Sequence, residues 1–153
     1  MTTPTTSTTR DRNLDAACTA VAGEIARTDG KASLLLAFAG AVLAGLTTLA
    51  DHDLPTATKT LGALAVTALG AATVLLLLVV RPRLGGHDRA SFPYWARLDE
   101  TEIHACMDDD TRAVRIRVLS TIAVTKYTRL RRAVDCTLTA LALLASAAGT
   151  ALL

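Results

Sequence analysis

Three segments of the chain carry no charged residue and are long enough to cross a lipid bilayer. They are Ala32–Ala50, Thr60–Val80 and Cys136–Leu153. A bilayer's hydrocarbon core is about 30 Å thick, and a helix crosses it with roughly 20 residues that rise about 1.5 Å each. A soluble helical bundle is the alternative, but helices that are apolar on every side are not typical of one. The sequence therefore predicts an all-α integral membrane protein with three transmembrane helices, at about residues 32–50, 60–80 and 136–153.

The remaining residues are too few for a large separate globular core. Hydrophobic residues make up 51% of the 153-residue chain and charged residues 20%, and the charges lie outside the three apolar segments. The first residues are rich in Thr, which is typical of disorder. We therefore expect a disordered tail over residues 1–11 and a single transmembrane domain over residues 12–153, with a cytosolic region at 81–135.

The basic residues predict the orientation in the membrane. Of the 16 Lys and Arg residues, four precede the first apolar segment, eleven lie between the second and third, and only Lys59 lies between the first and second. Basic residues near the ends of transmembrane helices stay in the cytoplasm. We therefore expect a multi-pass protein of the cell membrane, with its N-terminus cytoplasmic and its C-terminus extracytoplasmic.

Two amphipathic segments adjoin the first and third apolar segments, and each predicts a helix that continues into the membrane. The apolar residues of the first are Leu14, Cys18, Val21 and Ile25, and those of the second are Ile116, Leu119, Ala123, Tyr127, Leu130 and Val134. Both sets repeat every three or four residues, as in a coiled coil. We expect helices from about residue 12 to 50 and from about residue 111 into the third apolar segment. Their stripes should pack together as a cytosolic helical stalk, within one chain or between the copies of a homo-oligomer.

Little in the sequence points to catalysis. No phosphate-binding loop, nucleophile elbow or zinc-protease motif is present, so we expect neither an enzyme nor a cofactor. The spacing of His104, Cys106 and Asp108–Asp110 fits no standard metal site, and no metal is expected. The transmembrane segments lack ionisable residues, which disfavours a transporter subunit.

Two cytosolic features have both a structural and a functional interpretation. The basic run Lys126–Arg132 is typical of an anchor on anionic lipid headgroups, and phosphate recognition is the alternative. Tyr94 and Trp95 are typical of residues at the membrane interface, and stacking on a nucleobase is the alternative. Close by, Asp99 and Glu102 have the spacing of a capping box, which predicts a short helix to about Met107.

Several of these segments together resemble the small transmembrane proteins of the Pycsar effector family (pyrimidine cyclase system for antiphage resistance). The resemblance covers most of residues 13–153. It rests on Glu24–Leu36, which holds the junction Ala-Arg-Thr-Asp-Gly-Lys-Ala-Ser at 26–33, on Phe92–Trp95, and on Tyr127 with Arg129–Arg132. It implies a membrane effector of antiphage defence that impairs the inner membrane when a partner pyrimidine nucleotide cyclase makes cyclic CMP or cyclic UMP.

The chain has no segment for a separate β-rich nucleotide-binding domain, so direct sensing would have to use the cytosolic helices. Arginine suits phosphate oxygens, and an aromatic ring can stack on a base. The predicted ligand-binding residues are Arg112, Arg115, Arg129, Arg132, Tyr94 and Trp95. Besides the lipid bilayer and the cyclase, no nucleic-acid polymer is expected as a partner. The alternative function is a passive membrane anchor or scaffold that recruits a cytosolic partner through its helical stalk.

Overall fold

The computed structural model describes residues 5–48, 54–82, 91–107 and 109–151. In these ranges the chain is helical, without a β-strand. The helices are α1 (Thr5–Thr47), α2 (Thr56–Val80), α3 (Phe92–Trp95), α4 (Glu100–Met107) and α5 (Arg112–Ala151). Three of them, α1, α2 and α5, are long and apolar enough to cross a membrane, which confirms the predicted fold class.

Helix α1 starts earlier than the sequence predicted. It begins at Thr5 rather than near residue 12, so residues 5–11, which we expected to be disordered, are helical. At Asp11, contact with α5 explains part of this difference, because the carboxylate accepts a hydrogen bond from Arg112 at 2.6 Å. The helix ends at Thr47, and the last predicted residues of the first transmembrane segment, 49–50, lie outside the described residues.

Proline defines both ends of α2. Pro55 precedes the first helical residue, and its carbonyl accepts the Lys59 N–H at 3.0 Å. A proline needs no hydrogen bond for its own nitrogen, so it is well suited to a helix start. At the other end, Arg81 has φ −53° and ψ 122°, the extended backbone favoured before a proline such as Pro82. The predicted second transmembrane segment is thus one uninterrupted helix.

The capping box at the start of α4 is confirmed. The Asp99 carboxylate accepts the Glu102 N–H at 2.8 Å, and the Glu102 carboxylate accepts the Asp99 N–H at 3.0 Å. These two bonds satisfy backbone donors that the first helical turn leaves open. Helix α4 then ends at Met107, as predicted.

Helix α5 is continuous from Arg112 to Ala151, which confirms the prediction of one helix from about residue 111 into the third apolar segment. Residues 152–153 lie outside the described residues. The chain forms two compact units, to which both α1 and α5 contribute. The first comprises residues 1–27 and 82–125, and the second residues 28–81 and 126–153.

The second unit is a bundle of α1, α2 and α5 whose buried residues repeat with coiled-coil spacing. They are Thr28, Ala32 and Ala39 of α1, Thr58, Ala65, Leu69, Ala72, Leu76 and Val79 of α2, and Lys126, Leu130, Ala133, Thr137, Ala140 and Ala147 of α5. Alternating steps of three and four residues keep one face of each helix toward its neighbours. Many of these residues are alanines, which let membrane helices approach closely.

Two apolar clusters make up the core of this bundle. One joins Ala32, Leu76, Val79, Leu130 and Ala133. The other joins the next layers along the helices, through Ala39, Leu69 and Ala140. Other small residues of the same three helices, such as Ala37, Ala63 and Ala142, are exposed.

In the first unit, the predicted apolar stripes lie half-buried. Leu14, Cys18, Val21 and Ile25 of α1 and Ile116, Leu119 and Ala123 of α5 are all of this kind. The Cys18 thiol lies 3.8 Å from the Arg112 carbonyl, so α1 and α5 pack within one chain. In the second unit the prediction for α5 was wrong at one position: Tyr127 is 40% exposed, and its neighbour Lys126 is buried.

Candidate functional site

Arg112 is the predicted ligand-binding residue with the most partners. Its guanidinium contacts the carboxylates of Asp11 at 2.6 Å, Asp15 at 3.2 Å and Asp110 at 2.8 Å. It also donates to the Asp11 carbonyl at 3.3 Å. Because these acceptors occupy its hydrogen-bonding edges, Arg112 ties α1 to the start of α5, and a phosphate would have to displace aspartates from it.

Hydrogen bonds from Arg112 also change the titration of its sequence neighbour. The guanidinium and the Arg112 backbone N–H both donate to the Asp110 carboxylate, at 2.8 and 3.2 Å. These bonds, the side-chain bond first, lower the pKa of Asp110 below its ordinary value, because they favour the charged form. Asp110 therefore stays ionised and paired at neutral pH.

Arg115 and the aromatic pair are the other predicted site residues of the first unit. Arg115 is half-buried, and its side chain has no hydrogen-bond or ion-pair partner in the described part of the chain. Tyr94 and Trp95 lie on α3, where their N–H groups donate to the Ser91 carbonyl at 3.0 and 3.1 Å. Both rings are half-buried. Within this unit, Arg115 is thus the predicted phosphate-binding arginine that remains available.

The Trp95 indole has an unusual environment. Its Nε1–H is buried and lacks an acceptor among the described residues. A buried donor without an acceptor costs free energy, so native proteins leave few of them. Of the predicted site residues of this unit, Arg115 and Trp95 are thus two whose side-chain donors lack an acceptor among the described residues.

Arg129 and Arg132, the last two predicted residues, belong to the second unit. The Arg129 guanidinium donates to the Leu78 carbonyl at 3.1 Å, in the last turn of α2. Carbonyl groups at a helix C-terminus lack intrahelical donors and carry partial negative charge, so a cation there is stabilising. Arg132 is exposed and has no partner among the described residues. Arg129 thus joins α5 to α2, whereas Arg132 faces outward.

Lys126 and Asp29 form an ion pair that was not predicted from the sequence. The Lys126 Nζ lies 2.6 and 2.7 Å from the two carboxylate oxygens of Asp29. We had assigned Lys126 to a headgroup-binding run, but its side chain is 11% exposed. The repeat contains the missing signal: counting back from Leu130 and Ala133 in coiled-coil steps places position 126 in the core.

The second unit contains an apolar cavity of about 460 Å³, which lies between small residues near the start of α2 and the end of α5. Its lining includes Gly62 and Ala63 of α2 and Ala147 and Ala148 of α5. Beside it, the hydroxyls of Thr58 and Thr150 share a hydrogen bond of 3.0 Å. Such side-chain hydrogen bonds between helices are common in membrane bundles.

Metal ligands are not grouped in the residues that the structure describes. None of the clusters there brings together three or more His, Cys, Asp or Glu side chains that could hold a metal ion. Among the residues that we had considered, His104 and Cys106 lie on α4, and Asp108 lies outside the described residues.

Comparison with known proteins assigns the chain to a family. No curated protein and no solved structure matches it. A family model described as the Pycsar effector protein domain matches residues 13–153. The match includes α2, α5 and nearly all of α1, so the three apolar helices are part of the family's domain. This chain belongs to the Pycsar effector family.

Proposed function

We propose that this protein is an effector that impairs the integrity of the bacterial inner membrane in response to a cyclic pyrimidine nucleotide. Its family membership makes it an effector of antiphage defence. The main support for an action on the membrane is that the matched region, 13–153, includes the three apolar helices. The membrane part is therefore the effector domain itself and not an anchor attached to one, which favours an action on the membrane without catalysis.

A test in cells should separate this function from passive anchoring. Bacteria would express the chain with an active pyrimidine nucleotide cyclase or with a catalytically inactive variant of that cyclase. We expect loss of membrane potential and entry of an impermeant dye only when the cyclase is active. An intact membrane with the active cyclase, although the protein is inserted, would support the scaffold alternative.

For direct sensing, we propose that Arg115 binds the phosphate of cyclic CMP or cyclic UMP and that Trp95 contacts the base. Arg115 has a free guanidinium among the described residues, and Trp95 has an indole N–H without an acceptor. Arg112, Arg129, Arg132 and Tyr94, which we also predicted to bind ligand, have a smaller part in this proposal. Arg112 is held by Asp carboxylates, and Arg129 is held by the Leu78 carbonyl.

Binding of labelled cyclic nucleotides to purified variants tests this assignment. Arg115→Glu and Trp95→Ala should each abolish binding, because the first reverses the charge and the second removes the ring. Arg131→Glu is the matched control, since Arg131 is an exposed arginine of the same helix. Equal loss in Arg115→Glu and Arg131→Glu would indicate a nonspecific effect of charge, and unchanged binding in Arg115→Glu or Trp95→Ala would likewise contradict the assignment.

We also propose that the protein forms a homo-oligomer through an exposed face of α1. This face carries only small residues at alternating steps of three and four: Gly30, Ser33, Ala37, Gly40, Ala44 and Thr47. A Cβ atom added at Gly30 or Gly40 would meet no atom within 4 Å. Glycine weakens a helix interior by about 1 kcal/mol relative to alanine, and close helix packing in a membrane offsets that cost.

The oligomer proposal predicts that Gly40→Leu reduces the mass of the detergent-solubilised protein to that of a smaller assembly. The new side chain enters open space in the single chain, so the fold of the chain should persist. Gly70→Leu on α2 is the matched control, because its Cβ would likewise meet no atom within 4 Å. An unchanged mass for Gly40→Leu would exclude this face as the interface.

A further inference from the structure

Lys126 is the one charged residue that is buried in the described part of the chain. Its side chain is 11% exposed, and that of its partner Asp29 is 35% exposed. Both carboxylate oxygens accept from the same ammonium, at 2.6 and 2.7 Å. The pair thus connects α1 to α5 directly, at a core position of the α5 repeat.

An apolar residue would serve packing better at this position. The next core residues of α5, Leu130 and Ala133, are apolar, and Thr28 beside Asp29 is buried. Replacing a buried ion pair by apolar residues is often neutral or stabilising, whereas removal of one partner is strongly destabilising. The pair therefore adds little net stability to the closed seam, but loss of either partner would leave a buried charge unpaired in it.

The pair lies at one end of the second unit. Residues 28 and 126 are the first residues that α1 and α5 contribute to this unit. Val79, in the last turn of α2, shares an apolar cluster with two partners, Ala32 of α1 and Leu130 of α5. Asp29 and Lys126 come three and four residues before those two partners, about one helical turn beyond the layer where α2 ends. The ion pair therefore joins α1 and α5 at the end of this unit, about one helical turn beyond the last turn of α2.

We propose that Asp29 and Lys126 form a latch that keeps α1 and α5 together at this end of the bundle, and that the latch opens when the protein permeabilises the membrane. When the helices separate, water can solvate both charges, which lowers the cost of the open arrangement. An apolar seam has no such compensation, because separation would only expose apolar surface. The inference rests on the proposed membrane-permeabilising function.

Dye release from vesicles that contain the purified protein tests the latch without any nucleotide. In Asp29→Asn, Lys126 keeps its charge and loses its partner, so we expect dye release to be about tenfold faster than with the wild type, or more. Glu24→Gln is the matched control. It removes a carboxylate of α1 whose 2.8 Å ion pair with Arg27 is exposed, so release should stay at the wild-type rate.

The double variant Asp29→Asn with Lys126→Met gives an independent readout, because its uncharged seam should pack and insert normally. We expect this variant to stay closed both without nucleotide and with cyclic CMP or cyclic UMP. If the pair only stabilised the fold, the double variant would respond to nucleotide as the wild type does. Such a response would overturn the latch. Dye release from the inserted Asp29→Asn variant at the wild-type rate would overturn it as well.

The nucleotide-free arm also separates this inference from the proposed trigger. If the wild type ignores both nucleotides while Asp29→Asn leaks, the trigger is wrong and the latch stands. If the wild type releases dye on addition of nucleotide while Asp29→Asn stays tight without it, the latch is wrong and the trigger stands.

Discussion

Charged side chains at the helix seams are each matched by a specific acceptor. Lys126 contacts Asp29, Arg129 donates to the Leu78 carbonyl, and Arg112 contacts three aspartates. The first of these is buried and the last is partly exposed, so their contributions differ. Exposed ion pairs are worth about 0–1 kcal/mol each, whereas loss of one partner of a buried pair costs about 3–5 kcal/mol.

The carboxylate of Asp99, which caps α4, predicts that the stability of this helix depends on pH. The Thr101 hydroxyl, followed by the Glu102 N–H, lowers the pKa of Asp99 below its ordinary value of 3.8. Because the folded pKa lies below the unfolded one, the stabilisation of α4 is complete above the ordinary value and is lost as pH falls through the lowered one.

Amide hydrogen exchange of α4 across acidic pH measures this effect. We expect protection to decline below the ordinary aspartate pKa in the wild type. Asp99→Asn should make protection insensitive to pH, since asparagine caps a helix without titrating. Asp109→Asn, at an exposed aspartate outside α4, should leave the wild-type profile unchanged. A profile that Asp99→Asn does not alter would contradict the assignment.

Helices α2 and α5 show how a coiled-coil repeat selects the buried face of an apolar helix. Leu76 and Leu77 are adjacent and chemically identical, yet Leu76 is fully buried and Leu77 is 52% exposed. In a membrane helix, both faces are apolar, so hydropathy alone does not distinguish them. The packing of α1, α2 and α5 around Leu76 and Val79 does.

This contrast predicts unequal effects for two otherwise equal substitutions. Leu76→Ala should lower the free energy of unfolding in detergent by about 2–5 kcal/mol, because it leaves a cavity in a packed core. Leu77→Ala removes the same atoms from an exposed position and should cost much less. Thermal unfolding followed by circular dichroism compares the two, and equal shifts would contradict the packing of α2.

The sequence predicted the helices well because their signals are local. Apolar length marks the three long helices, Pro55 and Pro82 mark the ends of α2, and the capping box marks α4. The predicted stripe of α5 is wrong at Tyr127, because a lysine at position 126 is typical of an exposed residue. The coiled-coil repeat places position 126 in the core, but the partner of Lys126 is Asp29, which is distant in sequence, so no local pattern reports the ion pair. The tie of Arg112 to Asp11 and Asp15 was missed for the same reason.

For the molecule as a whole, the distribution of charge predicts the orientation. Fifteen of the Lys and Arg residues lie before the first apolar segment or between the second and third, the two segments that we expect in the cytoplasm. Lys59 alone lies between the first and second apolar segments. With three transmembrane helices, we therefore expect the N-terminus inside and the C-terminus outside. The basic segments also suit the anionic lipids of a cytoplasmic leaflet.

Thiol labelling of intact cells tests this orientation. A cysteine introduced at Thr56, an exposed residue at the start of α2, should react with an impermeant reagent from outside. The native Cys106 on α4 is the internal control and should react only after the cells are lysed. Labelling of Cys106 in intact cells would reverse the proposed topology.

We propose that this chain itself permeabilises a membrane when a cyclic pyrimidine nucleotide is present. The most direct measurement is dye release from vesicles that contain only the purified wild-type protein. We predict release on addition of cyclic CMP or cyclic UMP, and none with cyclic AMP or with empty vesicles. If vesicles that contain the inserted protein release no dye with either pyrimidine nucleotide, this proposal is wrong.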